Sequence, residues 1–298
     1  MNRRVAVLGL GAMGLPISTC LAKRWDVAGF DLAPARLELA SASGVSPATS
    51  VAEAVKDAAF IVIAVRDGAQ LEAVLFGDNG AATFLSEGAT VVVTSTVGAE
   101  AVKSANARLT AAGQHLVDAP VSGGPVRAGT GDLLIMAGGD DAVLDSARDL
   151  LETLANNLVI AGGVGDGQNM KVVNQLLCGV HTAAAAEALA LANALGLDLE
   201  KCVTVFGQGA AASFMLGDRG PRMVQQLNGQ KPELRSRLDV IGKDMGLVAE
   251  LAKQFKIPTP LAAAGDHSYR IAEKLGLSAQ DDSIMAAFLA GQLKTEAS

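Results

Sequence analysis

The 298-residue sequence predicts an α/β chain: a doubly wound, mostly parallel sheet first, then an all-helical second part. Three observations carry that expectation. Short apolar runs alternate with Ala/Leu-rich stretches of helical period in the first half. A glycine-rich turn joins the first apolar run to the first helical stretch. After about residue 160 no strand-like alternation returns.

The strands are expected at 4–8, 26–30, 60–65, 90–94, 115–118, 133–137 and 158–160. Helical stretches such as 13–23, 51–56 and 99–112 lie between most of them, which is the pattern of βαβ units covered on both faces. The turn-rich AGGVGDG at 161–167 then opens a long Ala/Leu helix ending near Gly196. Breaks in the helical part are expected at 207–209, 217–221, 229–232, 258–260 and Gly276, wherever Gly and Pro cluster. The domain boundary is therefore placed near 164, giving a domain 1–164 and an all-α domain 165–298 opened by the long interdomain helix.

Composition narrows the function classes. Half the residues are hydrophobic and 18% are charged, enough apolar material for a large core and too much for wholesale disorder. Aromatics make up only 3% and net charge is −7. With no run of Lys/Arg to track a phosphate backbone, nucleic acid is not expected as a partner. The three cysteines, Cys20, Cys178 and Cys202, are far apart and form no CxxC pair, which reads as reduced thiols of a cytoplasmic protein. No cluster of His, Cys and carboxylates suggests a metal. The start, MNRRVAVLGL, loosely imitates a leader, but its apolar run is short and enters a glycine motif, so it reads as a first strand. The most membrane-like stretch, 172–197, carries Asn174, Gln175, His181, Glu187 and Asn193; that set is costly in lipid, so a buried helix is expected and no membrane.

Gly9-Leu10-Gly11-Ala12-Met13-Gly14 fits G-x-G-x-x-G between a strand and a helix. Gly9 permits the tight turn, Gly11 lets backbone approach a pyrophosphate, and Gly14 lets the helix pack close to the strand. Free N–H groups at the helix start favour the phosphates. This is the Rossmann arrangement, with Asp31 at the end of the second strand placed to accept hydrogen bonds from an adenosine ribose. Its charge would repel a 2′-phosphate, so NAD is expected over NADP, although Arg36 lies near. The alternative role for Asp31 is capping a helix that starts near Pro34.

Asp118-Ala119-Pro120-Val121-Ser122-Gly123-Gly124 follows a strand at the ligand-binding edge of such a sheet. A hydroxyl followed by two glycines directs donors to one point, which suits a carboxylate; an ordinary Gly-rich loop has the same composition, and the residues alone leave both open. Further on, Lys171 and Asn174 stand at i and i+3, sharing a face in the first turns of the long helix. A lysine near a positive helix end is electrostatically disfavoured, so partial burial would lower its pKa and suit it to proton exchange. A solvated lysine is the plain alternative.

GLGAMGLP, DAPVSGG, the GxxxKxxN around Lys171, and Lys243-Asp244 in IGKDMGLVAE occur together in this order and spacing. In this the chain resembles the β-hydroxyacid dehydrogenase family, which includes 3-hydroxyisobutyrate dehydrogenase and tartronate semialdehyde reductase. The resemblance implies an NAD-dependent enzyme that moves hydride between nicotinamide and the alcohol carbon of a small hydroxy acid. It implies Lys171 as the catalytic acid/base, Asn174 as the residue orienting substrate, and Ser122, Gly123 and Gly124 as the carboxylate site. For the cofactor it implies Gly9 to Gly14, Asp31, Val65 and Arg66 after the third long strand, Thr96, and Lys243 closing from the helical domain. At 65–66 the family usually shows Leu-Pro, a departure.

Asn174 is followed by Gln175 where the family often has a second asparagine. That run through His181, together with PTPLAAA at 258–264, resembles the branch that oxidises L-threonate, a four-carbon sugar acid, at C2. The resemblance leaves tartronate semialdehyde reductase and 3-hydroxyisobutyrate dehydrogenase as the nearest alternatives. A non-catalytic dinucleotide-binding protein is the alternative of another class, but it would be expected to lose Lys171 or DAPVSGG. An imine reductase shares the architecture and typically lacks this lysine. His181 reads as a satisfied interior histidine, and Ser213 and Phe214 as a loop near substrate. Relatives assemble through their helical domains, so a homodimer or homotetramer is expected.

Overall fold

The structure, a computed structural model, describes residues 4–293. It divides into two compact units, Met1–Lys171 and Val172–Ser298, the break falling inside the long helix where the sequence places it just ahead, near 164.

The first unit is built on strands β1 (Arg4–Leu8), β2 (Asp26–Phe30), β3 (Ser46–Pro47), β4 (Phe60–Ile63), β5 (Thr90–Val93), β6 (His115–Asp118), β7 (Val121–Ser122), β8 (Leu133–Gly138) and β9 (Ala155–Gly162). Its helices are α1 (Gly14–Leu21), α2 (Pro34–Ser41), α3 (Val51–Val55), α4 (Gly68–Phe76), α5 (Ala99–Ala111), α6 (Gly124–Thr130) and α7 (Asp141–Leu154). Strands β3, β2, β1, β4, β5 and β6 lie side by side in that order, all parallel. β6 and the short β7 then pair antiparallel with β8, and β9 runs parallel to β8 on its other side. Each of the seven expected strands is present. The sheet adds β3 and β7, which the sequence does not announce because two residues are too few to show a period.

Alternation along each strand sends side chains to opposite faces. Val5 and Val7 join Ile17, Leu21 and Leu150 in one cluster, while Ala6 and Leu8 join Ile61, Leu71 and Val102 in another. Both faces are therefore closed by helices, as a parallel sheet requires. The strand order reverses at β1, which sits between β2 and β4. At such a switch point the connections leaving the carboxyl ends diverge and open a crevice.

The second unit contains the rest of α8 (Asp166–Ala194) with α9 (Leu199–Gln208), α10 (Phe214–Leu227), α11 (Leu238–Phe255), α12 (Pro260–Ala272) and α13 (Ile284–Leu289). Its core gathers Leu189, Met223, Leu238, Met245, Tyr269 and Met285. Tyr269 is wholly buried and donates its hydroxyl proton to the Gly179 carbonyl at 2.7 Å.

Two expectations need correction here. A break was expected at 217–221, but α10 runs through Pro221. Tertiary contacts override the missing N–H: Leu216, Met223, Val224 and Leu227 are buried on one face, and Arg222 pairs with Asp281 at 3.0 Å. The long helix was expected as a buried helix packed on both sides; within this chain one of its faces is covered. Val172, Thr182, Ala186 and Leu189 are inside, while Val173, Leu177 and Leu191 are exposed. By length and composition alone, α8 is long and apolar enough to cross a membrane.

Candidate active site

The expected cofactor residues of the first unit stand at one edge of its sheet. β1, β2, β4, β5 and β6 are parallel, so the positions just beyond their carboxyl ends share that edge. Those positions are the glycine loop after β1, Asp31 after β2, Val65 and Arg66 after β4, Thr96 after β5, and Ser122 to Gly124 after β6.

The glycine loop has the backbone its motif demands. Gly9 has φ +92°, and a Cβ there would stand 2.6 Å from the Ala64 carbonyl oxygen. A Cβ on Gly14 would run into the Gly9 carbonyl oxygen, so α1 lies against its own loop only because residue 14 has no side chain. A Cβ on Gly11 would meet nothing within 4 Å. The loop thus leaves an open approach to its backbone at the middle glycine, the place where a pyrophosphate must come close.

Asp31 anchors this loop. The Leu10 amide donates to Asp31 Oδ2 at 2.7 Å, and the Ala33 amide donates to Oδ1 at 2.9 Å. The N-cap of α2 is Ala33, so Asp31 braces the turn ahead of the helix rather than capping it. Arg36 holds the same loop from the carbonyl side. Its Nε donates to the Leu10 carbonyl at 2.6 Å and its Nη2 to the Gly11 carbonyl at 2.9 Å. Of the turn after β4, Val65 is half-buried and Arg66 exposed, with the Arg66 amide donating to Gln70 Oε1 at 2.9 Å. Ala12 is exposed and Met13 half-buried at the start of α1.

DAPVSGG is more ordered than a loop. Val121 and Ser122 form β7 against Ile135 and Leu134, and Gly123, at φ +139°, turns the chain directly into α6 at Gly124. Ser122, Gly123 and Gly124 are half-buried. Asp118 is fully buried, and burial pushes its carboxyl up to about 7 against the pull of the Gln168 and Gly165 amides. Its Oδ2 accepts the Gln168 amide at 2.8 Å, while Oδ1 has no hydrogen-bond partner among the described residues.

Lys171 lies in the second turn of α8 and is buried. The residue one turn before it, Gln168, was not singled out by the sequence. It is wholly buried; its Oε1 accepts the Val97 and Gly98 amides at 2.9 and 3.1 Å, and its Nε2 donates to the Ser95 carbonyl at 3.0 Å. Its only trace in the sequence is its place just after Gly165-Asp166-Gly167.

In the second unit, Asn174, Gln175, Asp244 and Lys243 form a chain of contacts. Asn174 Nδ2 donates to Gln175 Oε1 at 3.0 Å, Gln175 Nε2 donates to Asp244 Oδ2 at 2.6 Å, and Lys243 Nζ stands 2.9 Å from Asp244 Oδ1. The structure therefore joins the expected substrate residue Asn174 to the expected cofactor residue Lys243 through two residues given no role from sequence. His181 is exposed, which corrects the expectation of an interior histidine: it falls on the outer stripe of α8 with Leu177. Ser213 caps α10 by accepting the Leu216 amide at 3.1 Å, and Phe214 is exposed.

Residues 4–163 match the family described as the NAD binding domain of 6-phosphogluconate dehydrogenase. Residues 165–289 match the family described as NAD-binding of NADP-dependent 3-hydroxyisobutyrate dehydrogenase. The chain belongs to the β-hydroxyacid dehydrogenase family. It is 36% identical to the L-threonate dehydrogenase of Cupriavidus necator, covering 98% of this chain and 97% of that one. It is 33% identical to the 3-sulfolactaldehyde reductase of Escherichia coli K12, covering 93% and 92%. Among solved structures, a 3-hydroxyisobutyrate dehydrogenase from Salmonella typhimurium superposes with a TM-score of 0.87 at 35% identity, over 96% of this chain and 99% of that one. As a member of this family the chain is an oxidoreductase acting on a CH–OH group with a nicotinamide dinucleotide.

Proposed function

We propose that this chain oxidises L-threonate at C2 with NAD, using Lys171 as general acid/base. The observation that carries the substrate is the near-full-length likeness to L-threonate dehydrogenases, 36% for the one from Cupriavidus necator and 34% for the one from Escherichia coli K12. The Asn174-Gln175 pair agrees with that branch.

The preference for NAD rests on Asp31 and Arg36. A ribose 2′-phosphate would meet the Asp31 carboxylate, which two backbone amides hold in place. The cation that would offset this charge, Arg36, is engaged on the loop carbonyls. Gly9 to Gly14, Asp31, Val65, Arg66, Thr96 and Lys243 would hold the cofactor, and the open backbone at Gly11 fits a pyrophosphate. When bound, the nicotinamide supplies the hydride acceptor.

The protein's own part is binding and proton transfer. Ser122 Oγ and the amides around Gly123 and Gly124 take the substrate carboxylate. Asn174 orients the hydroxyl, and the Lys171 amine accepts its proton as the C–H bond is broken. In the reductive direction the Lys171 ammonium returns that proton. The same reading assigns cofactor binding to residues 1–164, and substrate closure and assembly to residues 165–298. It expects a cytoplasmic homodimer or homotetramer.

A second reading is favoured by the 33% likeness to a 3-sulfolactaldehyde reductase. The test is a screen of NAD and NADP reduction with L-threonate, D-glycerate and 3-hydroxyisobutyrate. NADH oxidation with 3-sulfolactaldehyde and tartronate semialdehyde is run beside it. L-threonate with NAD is expected to give the highest kcat/KM. Another substrate ahead by about tenfold or more, the equivalent of about 1.4 kcal/mol, would replace L-threonate.

A further inference from the structure

We propose that Gln168 is a positioning residue that locks the loop carrying Thr96 to the helical turn carrying Lys171, with Asp118 as its anchor. This rests on the reading of Lys171 as the proton-transfer residue. The geometry lies entirely within the first unit.

Gln168 grips both sides of Thr96. Its Nε2 donates to the carbonyl of Ser95, just before Thr96, and its Oε1 accepts the amides of Val97 and Gly98, just after it. The amide can sit only one way round, since a reversed side chain would set its NH₂ against two N–H donors. Three hydrogen bonds to one fully buried side chain leave the Ser95–Gly98 backbone little freedom.

The same residue is fixed to the sheet from beneath. Its backbone amide donates to Asp118 Oδ2 at 2.8 Å, at the carboxyl end of β6. The fit there is close: a Cβ on Gly167 would lie 2.9 Å from both the carbonyl oxygen and Oδ2 of Asp118. The first turn of α8 is thus keyed to β6 through Asp118 and to the β5 loop through Gln168. Lys171 follows Gln168 by three residues, one turn along a continuous helix, so its backbone inherits this placement. Thr96 is the expected nicotinamide-side contact, and Lys171 handles the proton. A residue that binds their backbones together sets the relation between the two transfers, where errors of about 1 Å can cost on the order of 10²-fold in rate.

Two variants test this in the full-length enzyme, assayed with L-threonate and with the fastest other acid from the screen. Gln168→Met keeps the bulk and removes all three side-chain hydrogen bonds. Gln168→Glu keeps the acceptor for Val97 and Gly98 but opposes the Ser95 carbonyl when ionised. Folded fraction is set by the number of NADH sites titrated, so that kcat is counted per folded site.

The expected result is kcat lower by about 10- to 100-fold in Gln168→Met, with KM within about twofold. The isotope effect from deuterium on the reacting carbon should also increase, because transfer becomes slower than product release. Gln168→Glu should recover relative to wild type as pH falls, since the protonated acid can again donate to Ser95. Unchanged kcat per folded site, with only a lower Tm, would overturn the proposal and leave Gln168 a structural hydrogen-bonder. A rise in KM alone would also overturn it. Should Gln168→Met not fold, Gln168→Glu decides: a pH-independent kcat equal to wild type refutes. A wild-type rate in Lys171→Ala would instead sink the reading of Lys171, a different failure from any of these.

Discussion

Replacing Asp118 by Asn should remove a pH trend in stability that the wild type carries. Asp118 is fully buried, and burial moves its carboxyl from 3.8 to about 7. Between about pH 4 and about pH 7 the folded chain therefore holds a proton that the unfolded chain releases. The favourable contribution is complete below the lower value and is lost as pH rises through the upper one. The slope is at most about 1.4 kcal/mol per pH unit, so the full window spans about 4 kcal/mol as an upper bound. Asn keeps the shape and an oxygen for the Gln168 amide but does not titrate. The variant's stability relative to wild type should rise from about pH 5 to about pH 7 and level off above. Urea unfolding of both proteins at fixed ionic strength measures this. The single Trp25 lies in the first unit, packed edge-on against Phe60 with centroids 5.9 Å apart, so its fluorescence follows the relevant transition. A difference that stays constant with pH to within about 0.5 kcal/mol would refute the raised carboxyl.

Other substitutions separate roles that the glycine loop combines. Asp31→Asn retains an acceptor for the Leu10 amide but drops the charge, and should shift the NADP-to-NAD ratio of kcat/KM upward by about tenfold; no shift would remove Asp31 from cofactor choice. Gly14→Ala forces a Cβ into the Gly9 carbonyl and should cost about 1–3 kcal/mol by urea unfolding, whereas Gly11→Ala, with open space around it, should leave stability near wild type while weakening NAD binding. Equal effects of the two on unfolding would contradict the geometry. Tyr269→Phe removes the 2.7 Å hydrogen bond to Gly179 and should cost about 1 kcal/mol with kcat per folded molecule unchanged.

Much of the first unit is legible because its strands are buried on both faces and its turns are made by glycine. Short apolar runs mark β1, β2, β4 and β5, the Leu116-Val117 pair marks β6, and G-x-G-x-x-G marks the loop between β1 and α1. What escapes is set by contacts remote in sequence. β7 exists because Val121 and Ser122 meet β8, and nothing local in DAPVSGG demands a strand. Pro221 reads as a break until the buried face of α10 and the Arg222–Asp281 pair are seen to hold the helix. His181 reads as interior because apolar residues surround it in sequence on α8, and their spread around the helix hides which face is covered. Gln168 has no periodic or charge signature; its importance comes from three backbone groups about 70 residues earlier that converge on one amide. Gln175 reads in sequence only as a departure from a second asparagine; its hydrogen bond to Asp244 joins residues 69 positions apart and has no local signature.

Proton transfer by Lys171 is tested most directly by steady-state kinetics of Lys171→Ala with L-threonate and NAD, with NAD affinity measured on the same preparation. Turnover should fall by a factor on the order of 10²–10⁴ while NAD affinity stays within about twofold. A variant that binds NAD normally and turns over at the wild-type rate would contradict the assignment of Lys171.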